Sequence, residues 1–284
     1  MLGGARRDAV RRGPSAVCRR VREPFSGRVA SPFPASGRWG SKSLTKHYRL
    51  KELGSFMPVD DRVLRGLALT RTLDNAQIRA LAAIADLRSV APGNAVTERG
   101  VRAHTVFIVL SGALHGEIAA PDGRTLLLDR LGPGDLFGEI AALDGGGRVR
   151  SVRSVGPARL AVMEAAAFDR WLRATPEAMR LLLALFADRA RGMGERLFET
   201  AFFGVGTRLR RLLVQDLIAA GALRDGGALD PAPSEETLAR LVGADPAAVR
   251  QALSELQEAG VVSVEPGRIV ALDAAALERP GEAR

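Results

Sequence analysis

Between residues 87 and 163 short apolar runs of strand length alternate with turn chemistry at close, regular intervals. Ala91-Pro92-Gly93-Asn94 reads as a turn, residues 104–110 as a strand, and Ser111-Gly112 as its end. Leu114, Gly116 and Ile118 then alternate with polar or small residues, Pro121-Asp122-Gly123 reverses the chain, and residues 125–128 return, which predicts a hairpin. After Gly132-Pro133-Gly134-Asp135, residues 151–155 and 159–163 supply two more strands. Many short strands at this spacing indicate a β-sandwich or jelly-roll barrel.

The period then changes. Thr175-Pro176 followed by Glu177 is a helix start, with Thr at the N-cap and Pro at the first helical position. Met179, Phe186, Met193 and Thr200 recur every seven residues, and Leu183, Ala190 and Leu197 form an offset row, which predicts a dimerisation helix over residues 175–205 with a coiled-coil seam. The competing reading is a helix packed on its own domain, because Leu181, Leu182 and Leu185 widen the apolar face. Gly192 and Gly194 soften the helix interior, each at about 0.8–1 kcal/mol relative to Ala. Farther on, an amphipathic helix passes through Leu209, Leu212, Leu213 and Ile218. Ser234 caps another, Gly243 breaks it, and Asp245-Pro246 starts a third, giving a helix-turn-helix. Residues 261–264, Glu265-Pro266-Gly267-Arg268 and residues 269–272 form a hairpin wing.

Charge changes the picture only at one end. The chain of 284 residues carries a net charge of +9, yet residues 1–51 hold ten Arg and three Lys against Asp8 and Glu23, so the remainder is slightly acidic. Residues 1–55 read as a basic, disordered extension, with no apolar stretch of the ~7–15 residues that a secretory signal needs. A single cysteine, Cys18, excludes an internal disulfide and a four-thiolate cluster and fits a reducing, cytoplasmic setting. No membrane span is expected. The histidines are His47, His104 and His115, too few in the barrel for a cupin-like metal centre, so neither a metal site nor a catalytic constellation is expected.

One segment of the β region can carry chemistry. A helical turn starting at Gly138 would present backbone N–H groups to an anion, Glu139 can accept from a sugar hydroxyl, and Arg148 can pair with a phosphate, a combination suited to a phosphorylated ribose. Read by spacing alone, the same glycines are turn residues and Arg148 a surface charge.

Val90-Ala91-Pro92-Gly93, residues 107–112, residues 131–141 and Asp144-Gly145-Gly146 together resemble the cyclic-nucleotide-binding jelly roll. The resemblance implies an effector site at Gly138, Glu139, Ile140, Ala141, Arg148, Val149 and Arg150, with Glu139 on the ribose, Arg148 on the cyclic phosphate, and cAMP or cGMP as the candidate effector. The chain departs from the family pattern at Val149, where a phosphate-binding hydroxyl is usual, with Arg150 as a second cation nearby. It departs again at Met193 and Gly194, which replace the hydroxyl side chains that cyclic-AMP-responsive members offer to adenine. Both departures point away from an ordinary cyclic AMP response.

The last seventy residues resemble the winged helix of the Crp/Fnr regulators. That likeness implies that the second helix of the motif enters the major groove and presents Ala247, Arg250, Gln251 and Ser254 to base edges, with Ser234, Thr237 and Arg268 near phosphates. Expected, then, is an α+β chain: a β jelly-roll effector domain (60–172), a long dimerisation helix (175–205) pairing through Met179, Leu183, Phe186, Ala190, Met193 and Leu197, and a C-terminal winged helix-turn-helix (206–276). The implied partners are double-stranded DNA, a second copy of the chain and RNA polymerase. The rival function, a cyclic-nucleotide-binding signalling module acting on protein partners, leaves residues 234–272 unexplained.

Overall fold

A computed structural model describes residues 57–102 and 104–279; the expected basic extension lies outside them. After two short helices, α1 (Asp61–Leu64) and α2 (Asn75–Ala83), the chain forms β1 (Ala85–Val90), β2 (Ala95–Thr97), β3 (Thr105–Ser111), β4 (Leu114–Ala119), β5 (Thr125–Leu131) and β6 (Leu136–Phe137). A helix α3 (Glu139–Asp144) interrupts the strands before β7 (Ser151–Ser154) and β8 (Ala158–Glu164). The strands pair antiparallel into two sheets, in the orders β1-β8-β3-β6 and β2-β7-β4-β5.

The uninterrupted apolar run in β3 follows from burial on both faces. Phe107 and Val109 pack with Leu160 and Val162 of β8 and with Leu114, Leu131 and Val152 of the opposite sheet, filling the space between the sheets. Val106, Ile108 and Leu110 point the other way, with Ala161 and Met163, into a core shared with helices. Successive strand residues alternate in direction, so a strand with apolar groups on both sides loses its polar alternation.

The helices of that second core are α2, α4 (Ala165–Ala174) and the first turns of α5 (Pro176–Phe202), contributing Leu81, Phe168, Trp171, Leu172 and Leu182. Thr175 precedes α5 as expected and Pro176 occupies its first turn, but the Thr175 side chain makes no capping hydrogen bond. Met179 and Phe186 are half-buried against the same core, whereas Leu183, Met193 and Leu197 are 59%, 63% and 72% exposed. The structure therefore differs from the seven-residue rows read in the sequence: the first two members of one row face their own domain.

The C-terminal unit comprises α6 (Val205–Ala219), β9 (Ala228–Leu229), α7 (Glu235–Val242), α8 (Pro246–Glu258), β10 (Val262–Glu265), β11 (Arg268–Ala271) and α9 (Ala274–Glu278), with the wing strands ordered β10-β11-β9. Its core joins Leu209, Leu213, Leu238, Val249, Leu253, Val262 and Ile269, and Leu127 of β5 is buried among them. Ion pairs frame this contact. Glu117 of β4 holds both Arg153 of β7, at 3.0 Å, and Arg240 of α7, while Asp216 of α6 accepts both terminal nitrogens of Arg130 on β5. Among the described residues no helix is long and apolar enough to cross a membrane.

His115 lies within this charged contact. Burial, and secondarily the charges of Arg240 and Arg130, hold its imidazole below the usual value of 6.5, against the opposing pull of Glu117. Because the folded chain binds the proton more weakly than the unfolded chain, the stability tied to neutral His115 is complete above pH 6.5 and declines as pH falls through the lowered folded-state value. Urea midpoints should accordingly drop as the pH is taken below 6.5, and His115→Gln should flatten that segment of the profile. An unchanged profile in the variant would show that other groups set the dependence.

Candidate effector pocket and DNA-binding surface

The turn from β6 into α3 requires Gly138, whose φ of +86° is disfavoured for residues with a side chain. A Cβ there would also collide with Arg148 Nη1 and lie 2.9 Å from the Thr105 carbonyl oxygen. The close approach serves Arg148, which is 5% exposed: Nη1 donates to the Gly138 carbonyl at 2.9 Å, Nη2 donates to the Thr105 carbonyl and hydroxyl at 2.7 Å each, and the guanidinium lies over the Phe107 ring. Phe107 stacks on Phe137 with centroids 4.7 Å apart, which fixes that floor. Burial lowers the Arg148 pKa to about 10, partly offset by Glu139, so the group remains a cation at neutral pH.

Glu139 is 1% exposed, and its Oε1 accepts from Nη1 of Arg189 on α5; Nη2 of Arg189 donates to the Leu136 carbonyl. Arg150 is buried too, with Nε 2.7 Å from Asp129 Oδ2. Gly116 makes that pair possible, since a Cβ would stand 2.7 Å from Arg150 Nε and 2.8 Å from Asp129 Oδ2. Desolvation lowers the Arg150 pKa, and Asp129 counters it.

Thr97, Gly138, Glu139, Arg148, Val149 and Arg150 line a cavity of about 20 Å³. Ile140 and Ala141 lie on the same wall, so the structure gathers all seven residues of the expected effector site around one space. That space holds about one water molecule. Among the described residues, Glu139 Oε2, Arg148 Nε and Arg150 Nη2 are buried without a hydrogen-bond partner. Unmet buried polar atoms are costly, and an anionic, hydroxyl-bearing ligand would satisfy them.

Sequence reasoning missed Arg189, Asp129 and Thr105. Arg189 reads in the sequence only as a charge breaking an apolar run; its partner lies fifty residues away, and no local spacing reports such a contact. No group of three or more His, Cys, Asp or Glu side chains suited to a metal occurs among the described residues.

On α8, Val249, Ala252, Leu253 and Leu256 are buried, and the opposite stripe of Ala247, Arg250, Gln251 and Ser254 is exposed. Asp245 caps the helix by accepting from the Ala247 N–H at 2.8 Å, and Gly243, at φ +64°, turns the chain between α7 and α8. Arg250 Nε lies 2.9 Å from Glu235, and Gln251 donates to Glu255 at 3.0 Å, so both side chains are tethered on the exposed face. Ser234 caps α7 by accepting from the Thr237 N–H at 3.2 Å. Arg268 sits on the wing, 3.7 Å from Glu265. Residues 205–279 hold eight Arg against eleven Asp or Glu. Phosphate attraction in this unit must therefore come from placed groups and backbone N–H donors rather than from net charge.

Comparison with known proteins agrees with both halves of this geometry. The cyclic nucleotide-binding domain matches residues 87–175, and the Crp-like helix-turn-helix domain matches residues 207–280. A CRP-like cAMP-activated global transcriptional regulator of Mycobacterium tuberculosis is 31% identical over 189 residues, covering 66% of this chain and 84% of that protein. A cyclic AMP receptor protein of Thermus thermophilus is 30% identical over 190 residues, 66% of this chain and 83% of that protein. Among solved structures, the c-di-GMP responsive regulator CLP of Xanthomonas campestris superposes with a TM-score of 0.63 at 24% identity, covering 70% of this chain and all of that one, a likeness of fold. A jelly roll, a long helix and a helix-turn-helix thus coincide with both domain matches and with relatives of which this chain covers more than four fifths: the chain belongs to the Crp/Fnr family of DNA-binding transcription regulators.

Proposed function

We propose that this regulator is a cytoplasmic homodimer whose operator affinity responds to a cyclic nucleotide held by Glu139 and Arg148. The observation that carries the reading is the set of buried, unmet polar atoms on Glu139, Arg148 and Arg150, together with the tie from Glu139 to α5 through Arg189. The cyclic phosphate pairs with Arg148, and the ribose hydroxyl donates to the Glu139 oxygen that Arg189 leaves unused. A nucleotide does not fit into about 20 Å³, so binding widens the cavity and shifts Arg189, and with it the long helix.

The dimer forms along the exposed stripe of α5. Leu183, Ala190 and Leu197 lie on it and are all exposed, and Ala187, Gly194 and Ala201 complete a four-three repeat beside them. Small residues in the second row let the two backbones approach closely, with Met193, Phe198 and Phe202 at the margins. Met179 and Phe186 support the helix from within their own domain. Two α8 helices then meet half-sites about one DNA turn apart, and RNA polymerase is the machinery on which the bound dimer acts.

Titration calorimetry with cAMP and with cGMP should give saturable binding for at least one of them, lost in Arg148→Ala, and the bound nucleotide should alter operator affinity by about 5–150-fold. Operator affinity unchanged by either nucleotide would remove the switch from this reading. Arg250→Ala should weaken a selected operator by about 1–3 kcal/mol and relax preference at one base pair, as measured by competition with substituted duplexes. Leu197→Glu should convert the dimer to monomer in sedimentation while preserving far-UV circular dichroism. A dimer that survived this change would place the seam elsewhere.

A further inference from the structure

The interior of the jelly roll holds a charged side chain where its strands otherwise place apolar ones. Arg150 immediately precedes β7, and Val152, two positions on, belongs to the core between the sheets. Leu114 and Leu131 belong to the same core and pair with each other across β4 and β5, two residues from the pair of Gly116 and Asp129. Side chains two apart on a strand share a face, so Arg150 and Asp129 project inward, over the bare backbone of Gly116. The buried Arg150 guanidinium reaches the cavity beside Glu139 and Arg148 and leaves Nη2 without a partner there.

The charges around this cavity are matched except at one place. Glu139 pairs with Arg189, and Asp129 pairs with Arg150 at 2.7 Å. Arg148 is held only by neutral oxygens, the Gly138 and Thr105 carbonyls and the Thr105 hydroxyl. A cyclic phosphate carries a single negative charge, which Arg148 alone offsets, so Arg150 is not required as a phosphate ligand. What Arg150 does is fill space in a cavity of only about 20 Å³. Of the two arginines it is also the one that can move. Arg148 makes three hydrogen bonds, whereas Arg150 is held by one ion pair, to a carboxylate whose side chain is 28% exposed.

We propose that Arg150 is a built-in plug that sets the effector affinity of the pocket: seated against Asp129 it excludes the nucleotide, and it swings away before Glu139 and Arg148 take the ribose and the cyclic phosphate. The inference rests on the cyclic-nucleotide reading given above. Asp129 is left behind as a carboxylate that water reaches, which keeps the displacement from stranding a fully buried charge. Apparent affinity is the intrinsic affinity scaled by the fraction of molecules with the seat empty, so a plug seated in about nine molecules of ten weakens binding about tenfold. The DNA-reading unit, residues 205–279, therefore responds at a higher nucleotide concentration than the cradle of Glu139 and Arg148 would set by itself.

Full-length protein is titrated calorimetrically with cAMP and with cGMP. Arg150→Ala, which removes the plug and leaves Glu139 and Arg148 in place, should bind about tenfold or more tightly than wild type. Gly116→Ala should act in the same direction while keeping Arg150, because the added Cβ takes the place of the seated guanidinium. In both variants the nucleotide concentration that half-shifts operator affinity should fall by the same factor. A purely structural role for the pair gives the opposite sign, weaker binding in each variant, and either variant that keeps its far-UV circular dichroism decides between the two. Nucleotide binding by wild type with equal or weaker binding in Arg150→Ala overturns the plug and leaves the cyclic-nucleotide reading standing. Binding by neither protein overturns both, and binding by Arg150→Ala alone supports the plug while removing the switch from wild type.

Discussion

A carboxylate as deeply buried as Glu139 is tolerated only where its charge is met, and here the cation is supplied by Arg189 from outside the jelly roll. Removing one partner of a buried pair typically costs about 3–5 kcal/mol, because the other charge is left uncompensated. The barrel and α5 are therefore joined beside the cavity that Glu139, Arg148 and Arg150 line. Arg148 completes the arrangement from the barrel side, anchored to the Thr105 and Gly138 carbonyls and unable to leave without stranding them. The placement of α5 on the barrel is set by this ion pair together with Ala178 and Leu182 buried in the jelly-roll core.

The second junction lies at the hairpin of β4 and β5. Leu127 is fully buried in the core of the reading unit, so that core is incomplete without a residue from the barrel. Glu117 and Asp216 each hold an arginine across the same boundary. Exposed ion pairs contribute little, but Asp216 is 9% exposed and Glu117 14%, which moves them toward the class in which loss of one partner is felt. The reading unit is thus attached to the effector domain along two routes, α5 with α6 and the hairpin.

Much of the architecture was legible in the sequence because local chemistry dictates it. Strand-length runs and positive-φ glycines such as Gly93, Gly112 and Gly123 mark the turns, and Ser234, Gly243 and Asp245 bracket the helices of the reading unit as expected. The grouping of Gly138, Glu139 and Arg148 around one cavity was legible too, since the three lie ten positions apart or fewer. What could not be read were contacts between distant segments: Arg189 with Glu139, Asp129 with Arg150, and Leu127 within the other unit's core. The face of α5 was hard to read for a related reason. Apolar residues at 179, 181, 182, 183, 185 and 186 surround the helix there, and only the presence of the jelly-roll core on one side decides which of them remain exposed.

The two glycines of α5 show how such a helix serves several contacts at once. Residues two apart on a helix point in directions about 160° apart, so Gly192 and Gly194 address nearly opposite sides. Gly194 lies on the exposed stripe, where absence of a side chain would allow two helices to approach in the proposed dimer; Gly192 lines a cavity against the C-terminal unit, where absence of a side chain leaves volume. Their combined cost in helix propensity, about 2 kcal/mol, falls in the segment between the Arg189 anchor and the start of α6. A helix weakened there bends more readily than one of uniform stiffness. In the proposed switch, motion introduced at Arg189 would therefore be concentrated just before the elements that meet DNA rather than spread along the whole rod.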